Sequence, residues 1–80
     1  MFTVYVLFSR NFDKIYVGYT SDLANRMLSH NKLATIGWTI KYRPWELIYK
    51  EEFSDKSSAI RREKELKSHK GRDFIRELLK

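Results

Sequence analysis

The opening of the chain constrains its fold more than any other feature. Phe2-Thr-Val-Tyr-Val-Leu-Phe8 holds only β-branched, aromatic and aliphatic residues, with no glycine, proline or charge. Such a run reads as a strand. Lys14-Ile-Tyr-Val-Gly-Tyr-Thr20 reads as a second, and Ser9, Arg10, Asn11 and Asp13 between them supply turn chemistry. The pair is therefore expected as an antiparallel hairpin. Alternation puts Val4 and Val6 on one face and Thr3, Tyr5 and Leu7 on the other, while Ile15 and Val17 alternate with Tyr16 and Gly18. Matching the aliphatic faces against a core brings Tyr5 and Tyr16 together on the opposite face, and a one-residue slip would separate them.

The rest reads as helices around a third strand. Ser21 or Asp22 can cap a helix with an apolar stripe of Leu23, Ala24, Met27 and Leu28, and Asn31 is its expected stop. Residues 32–44 lack clear periodicity and carry Gly37, Trp38 and the Arg43-Pro44 pair, so they read as a loop with room for one helical turn. Trp45 to Phe53 is a third strand, with Leu47 and Tyr49 alternating against Glu46, Ile48 and Lys50. Ser54 or Asp55 caps a helix running to about Ser68. Gly71 is expected to break it, and Asp73 to open a short final helix holding Phe74, Ile75, Leu78 and Leu79. The expected class is α+β: a small, mainly antiparallel three-stranded sheet flanked by helices in the order β-β-α-β-α-α, one domain over residues 1–80.

Composition narrows the function. The absence of cysteine removes disulfides, thiolate zinc sites and cysteine nucleophiles together, and fits a reducing cytoplasm, the expected location. No stretch approaches the roughly 18 apolar residues of a membrane span, so no membrane partner is expected. The formal charge is +6, and it is concentrated. Residues 56–80 hold nine Lys or Arg against four acids, whereas residues 1–55 hold seven against six. A positive field of this kind raises the local concentration of polyanions, so nucleic acid is the first partner to consider. A solvated helical surface is the plain alternative.

Few side chains can carry chemistry. On a helical wheel Ala59, Ile60 and Leu66 define a buried stripe, and Glu63 falls near its centre. An ionised carboxylate there costs several kcal/mol unless it meets a cation, hydrogen bonds or a metal. An ion pair with an Arg or Lys at the core edge would satisfy it equally well. Arg26 and His30, four apart on the first helix, project from one side. A guanidinium can grip two phosphate oxygens, and an imidazole can move a proton near neutral pH. His30 could equally satisfy carbonyls at the helix end. Trp38, Tyr42 and Trp45 could stack on bases or close the core.

Taken in order, Thr3-Val4-Tyr5, Tyr16-Val17-Gly18, Asp22-Leu23-x-x-Arg26, His30-Asn31 and Ala59-x-x-x-Glu63 resemble the GIY-YIG nuclease superfamily. The resemblance runs from Phe2 to about Lys67. It looks most like the short stand-alone bacterial members related to the N-terminal nuclease domain of the excision-repair endonuclease UvrC. Thr3 stands where the name motif has its first glycine, and valines replace both middle isoleucines.

The resemblance implies a metal-dependent endonuclease acting on DNA, in repair or recombination. It implies that Tyr5 or Tyr16 acts as general base or orients the attacking water, and that Arg26 stabilises charge on the phosphate. His30 would assist proton transfer or phosphate contact, and Glu63 would hold one largely hydrated Mg²⁺ or Mn²⁺. Gly18 would allow close approach of substrate or helix, and Asn31, next to His30 in the motif, is grouped with it as a structural or substrate-approach residue. Arg61, Arg62, Lys64, Lys67, Lys70 and Arg72 are the expected cations along the nucleic-acid backbone. A monomer is expected. Many members attach a DNA-binding domain, which these 80 residues do not contain, so an accessory protein is a candidate source of specificity. A non-catalytic nucleic-acid- or partner-binding module with the same fold is the alternative, and an adaptor presenting exposed tryptophans to a protein is a third reading.

Overall fold

The computed structural model describes residues 1–33 and 38–80, without the side chains of Leu33 and Trp38. Gly37 and the Trp38 ring therefore lie outside the described residues. Strand β1 (Phe2–Ser9) pairs antiparallel with β2 (Lys14–Thr20) and with β3 (Glu46–Phe53), giving the sheet order β2-β1-β3. The hairpin turn closes with the Phe12 amide donating to the Ser9 carbonyl at 3.3 Å. Asp13 takes the left-handed conformation there, φ 53°, which a short acidic side chain tolerates.

The central strand is buried on both faces, and its alternation divides the core in two. Val4, Val6 and Val17 pack against Ala59, Leu66 and Ile75. These last three come from helices α2 (Lys56–Lys67) and α3 (His69–Leu78). On the other face Tyr5, Leu7 and Trp45 pack with Tyr16, Leu23, Met27 and Tyr42. That layer is closed by helix α1 (Leu23–Leu28), a π-helical turn over Ser29–Leu33 and a 3₁₀ turn over Trp38–Tyr42. The expected α+β order and hairpin alternation are both present. No helix among the described residues is long and apolar enough to cross a membrane.

Four local expectations are corrected. First, the β1–β3 register shifts so that Val6 lies opposite Tyr49 but Leu7 opposite Leu47. Ile48 is thus the extra residue of a bulge. Ile48 and Tyr49 consequently both pack on the valine layer, while Leu47 stays exposed. Second, Asn31 does not stop the helical path. Its amide spans the Trp45 backbone instead: Oδ1 accepts from Trp45 N at 2.7 Å, and Nδ2 donates to Trp45 O at 3.0 Å. Trp45 is only 3 % exposed and donates through Nε1 to the Thr39 carbonyl, so it closes the core rather than offering a ring to a base or a protein. Third, Leu28 is exposed, and of the expected stripe of α1 only Leu23 and Met27 are half-buried against the aromatic layer.

The fourth correction concerns Gly71. The break between α2 and α3 falls at Ser68, whose extended backbone ends α2 and whose Oγ accepts from the Gly71 amide at 3.2 Å. Gly71 sits inside the first turn of α3. A Cβ there would lie 2.2 Å from the Glu65 carbonyl oxygen and 2.4 Å from Leu66 Cα. Glycine is needed because two helix backbones touch at this point, not because the chain bends there.

One polar network ties β3 to both helices. Glu51 accepts from the Tyr49 hydroxyl at 2.6 Å and from Arg62 Nε at 2.8 Å. The Arg62 guanidinium also lies over the Phe74 ring. Burial alone would raise the Glu51 carboxyl, but the bonds from Tyr49 and Arg62 outweigh it and hold the group below its ordinary 4.5.

Two outcomes follow for stability. Gly71→Ala, which would ordinarily favour a helix, should destabilise the protein by about 1–3 kcal/mol in urea unfolding; a gain in stability would contradict the close helix contact. Because Glu51 titrates lower folded than unfolded, its stabilisation is fully present above the unfolded value and disappears as pH falls through the folded one. The loss of stability between pH 6 and pH 3 should therefore be smaller in Glu51→Gln than in the wild type. Equal losses would show that the carboxylate is not linked to folding.

Candidate active site

The hairpin register builds the first half of the site. Tyr5 lies opposite Gly18 and Leu7 opposite Tyr16, so both phenols occupy the same face as diagonal neighbours. Their ring centroids are 6.2 Å apart. A Cβ on Gly18 would come within 2.7 Å of the Tyr5 hydroxyl and 3.0 Å of Tyr16 Cε2. The glycine thus admits the Tyr5 ring across the strand, a more specific reason than the expected approach of substrate or helix.

Helix α1 contributes Arg26. Asp22 caps the helix, its Oδ1 accepting from the Asn25 amide at 3.1 Å, and the exposed Arg26 reaches the cleft from the second turn. His30 does not accompany it, although the two stand four residues apart. The π-helical turn begins at Ser29, and His30 is buried at 8 % exposure beneath the phenols. His30 Nε2 lies 3.0 Å from the Tyr5 hydroxyl and Nδ1 3.2 Å from Thr39 Oγ1. Its ring is 4.8 Å from that of Tyr16, centroid to centroid. Arg43 donates to the carbonyls of His30 and Ser29, holding this turn in place.

Both buried groups are pushed toward neutrality. Burial raises the Tyr5 phenol well above its ordinary value, the neighbouring Tyr16 adds to the effect, and the Arg26 cation only partly opposes it. Burial also lowers the His30 imidazole, helped by Arg26 and Arg43. A neutral imidazole carries one N–H, so Tyr5 and Thr39 take opposite roles at its two nitrogens, one donating and one accepting. Of the two motif phenols, Tyr5 is buried and bonded to His30, whereas Tyr16 is half-buried and lines the cleft.

Helix α2 supplies the acid. Asp55 caps it, accepting from the Ser58 amide at 2.8 Å. Glu63 then faces the hairpin two turns on. Tyr5, Tyr16, Gly18, Arg26 and Glu63 all line one open cleft of about 380 Å³, together with Thr20, Ser21 and Lys56. The Glu63 carboxylate has an ion-pair partner in Lys67, whose Nζ lies 3.5 Å from Oε1. The core-edge cation expected for Glu63 is therefore present, on the same helix.

The cleft suits a hard, hydrated divalent ion. Among the described residues no three His, Asp or Glu gather into a cage, so a metal here would depend on Glu63 and keep most of its waters, as Mg²⁺ does. At about 30 Å³ per water, an ion with five waters needs about 150 Å³. The cleft has that room, and Tyr16, Thr20 and Ser21 are among its lining residues.

The six expected backbone cations separate. Arg61, Lys64, Lys70 and Arg72 are exposed. Arg62 is not available, because Glu51 and Phe74 hold it. Arg62 and Lys70 line a different groove, between α2 and α3. Lys67 and Arg72 instead border a groove beside Tyr16. Lys56 was overlooked as a site residue although its signal is present: it precedes Glu63 by seven residues, two turns, and so shares its face.

Comparison with known proteins shows the family. Residues 1–76 match the model of the GIY-YIG catalytic domain. The chain is similar to a UPF0213 protein of Staphylococcus haemolyticus, 41 % identical over 56 residues, covering 70 % of this chain and 68 % of the relative. A UPF0213 protein of Staphylococcus epidermidis is 37 % identical over 59 residues, covering 74 % and 72 %. The solution NMR structure of a UPF0213 protein from Bacillus halodurans aligns over 98 % of this chain and 85 % of that one, with a TM-score of 0.57 and 28 % identity. With a cleft that gathers both motif tyrosines, the arginine and the glutamate, the chain belongs to the GIY-YIG catalytic-domain family, a family of nuclease type.

Proposed function

We propose that this protein is a divalent-metal-dependent endonuclease that hydrolyses phosphodiester bonds in DNA. The observation that supports it most is the meeting of Tyr16, Arg26 and Glu63, from three elements distant in sequence, on one cleft. Mg²⁺ or Mn²⁺ held by Glu63 would supply Lewis-acid stabilisation of developing phosphoryl charge and lower the pKa of its water.

The chain's own residues do the rest. Arg26, exposed and at the rim, offers a fork of N–H donors to two non-bridging oxygens and offsets the charge that grows on them. Tyr16 presents its hydroxyl to the attacking water and fixes its approach. Tyr5, pushed by burial further above its ordinary value, is the poorer candidate of the two phenols for removing a proton. It anchors the floor by bonding His30, which acts on the reaction only through Tyr5. Lys56, on the same cleft, would hold a flanking phosphate. Contacts of this kind read charge rather than base sequence, so substrate choice falls to DNA shape or an accessory protein. By resemblance to the UvrC nuclease domain, repair or recombination in the cytoplasm is the proposed setting.

Nicking of supercoiled plasmid with Mg²⁺ or Mn²⁺ tests the reading. Glu63→Gln and Arg26→Ala should each lose about a hundredfold or more in rate, and chelation of the metal should abolish cleavage. Equal residual rates in all three proteins would mark a contaminant and overturn the proposal. Tyr16→Phe should lower the rate more than Tyr5→Phe, and Tyr5→Phe should leave the alkaline limb of the pH–rate profile unmoved. The reverse order would return the base role to Tyr5.

A further inference from the structure

Glu63 and Lys67 stand one turn apart on α2, acid first, the orientation that favours an i,i+4 pair. The two partners are unequally held. The Glu63 side chain keeps 17 % of its exposure and Lys67 keeps 51 %, so the acid is packed against the hairpin while the amine stands largely in water. The same lysine lines a second groove, of about 260 Å³, with Arg72 at the start of α3 and Ile15, Tyr16 and Val17 of β2. Tyr16 is the wall that this groove shares with the cleft. Among the described residues Arg72 has no carboxylate partner within 4.0 Å.

We propose that Lys67 is a transferable counter-ion: it neutralises Glu63 in the free protein and passes to a nucleic-acid backbone phosphate seated between Lys67 and Arg72 when a divalent ion takes its place. The inference rests on the metal-dependent reading above and adds to it a second phosphate subsite, one wall away from the cleft. A dication on Glu63 repels the amine. Lys67 and Arg72 both border the second groove, and two cations bordering one space favour an anion between them. Metal at Glu63 therefore raises phosphate affinity in the groove, and phosphate in the groove draws Lys67 away and raises metal affinity. Linkage requires both effects to have the same size.

Two measurements on the whole chain test this, with Lys67→Met, Lys67→Arg and Glu63→Gln beside the wild type. Lys67 ends α2 at a half-exposed position and methionine is a good helix former, so the variant is expected to fold. In calorimetric titration with Mg²⁺ and no DNA, Lys67→Met should bind about threefold to tenfold tighter than the wild type, with the difference shrinking as salt rises. Lys67→Arg should resemble the wild type. In fluorescence anisotropy with a labelled phosphorothioate DNA decamer, Mg²⁺ should tighten binding more for the wild type than for Lys67→Met. A Glu63-dependent Mg²⁺ signal that Lys67→Met leaves unchanged would overturn the counter-ion role alone. Absence of any Glu63-dependent signal in the wild type would overturn it together with the metal-dependent reading.

Discussion

Burial of β1 on both faces is the constraint from which the site follows. A strand covered on one side by α2 and α3 and on the other by α1 and the 3₁₀ turn has no free register, because a one-residue slip would exchange two chemically different layers. Val4 and Val6 must meet the helices, so Tyr5 must meet the aromatic layer. Once Tyr5 is there, the residue opposite can carry no Cβ, and Gly18 occupies that position. The same register sets Tyr16 diagonally across. The positions of both phenols are thus consequences of packing the valines.

The electrostatics of the site follow its depth. Its floor, Tyr5 and His30, is displaced toward the uncharged forms by burial above all, the phenol upward and the imidazole downward. Arg26, Lys56 and Glu63 line the cleft above that floor, and Lys67, paired with Glu63, stands beside it. This division keeps the ionisable side chains nearer water, where their desolvation costs least. The one acid of a cleft lined by cations, Glu63, has its ion-pair partner in Lys67, one turn on along the same helix.

Much of this was legible in the sequence, and the exceptions have physical causes. Period-two alternation identified the hairpin faces because both strands carry unbroken patterns of seven residues or more. The wheel identified Glu63 because its neighbours at three positions either side are apolar. Alternation could not reveal the bulge at Ile48, since one extra residue changes pairing without changing composition. Gly71 signalled a break by its conformational freedom, yet it serves by its missing Cβ where two helices touch. The spacing of Arg26 and His30 indicated a shared side, and the π-helical turn with the reach of Tyr5 separated rim from floor. Arg62 counted as a surface cation until its partners on β3 and α3 were known.

The central claim is that elements distant in sequence form one pocket for a hydrated divalent ion. Paramagnetic broadening of backbone amide signals by substoichiometric Mn²⁺ reads this directly. The account predicts that Gly18, Arg26 and Glu63, on β2, α1 and α2, broaden together and before any others. Broadening confined to exposed acids such as Asp73 and Glu77 on α3, with those three amides untouched, would contradict it.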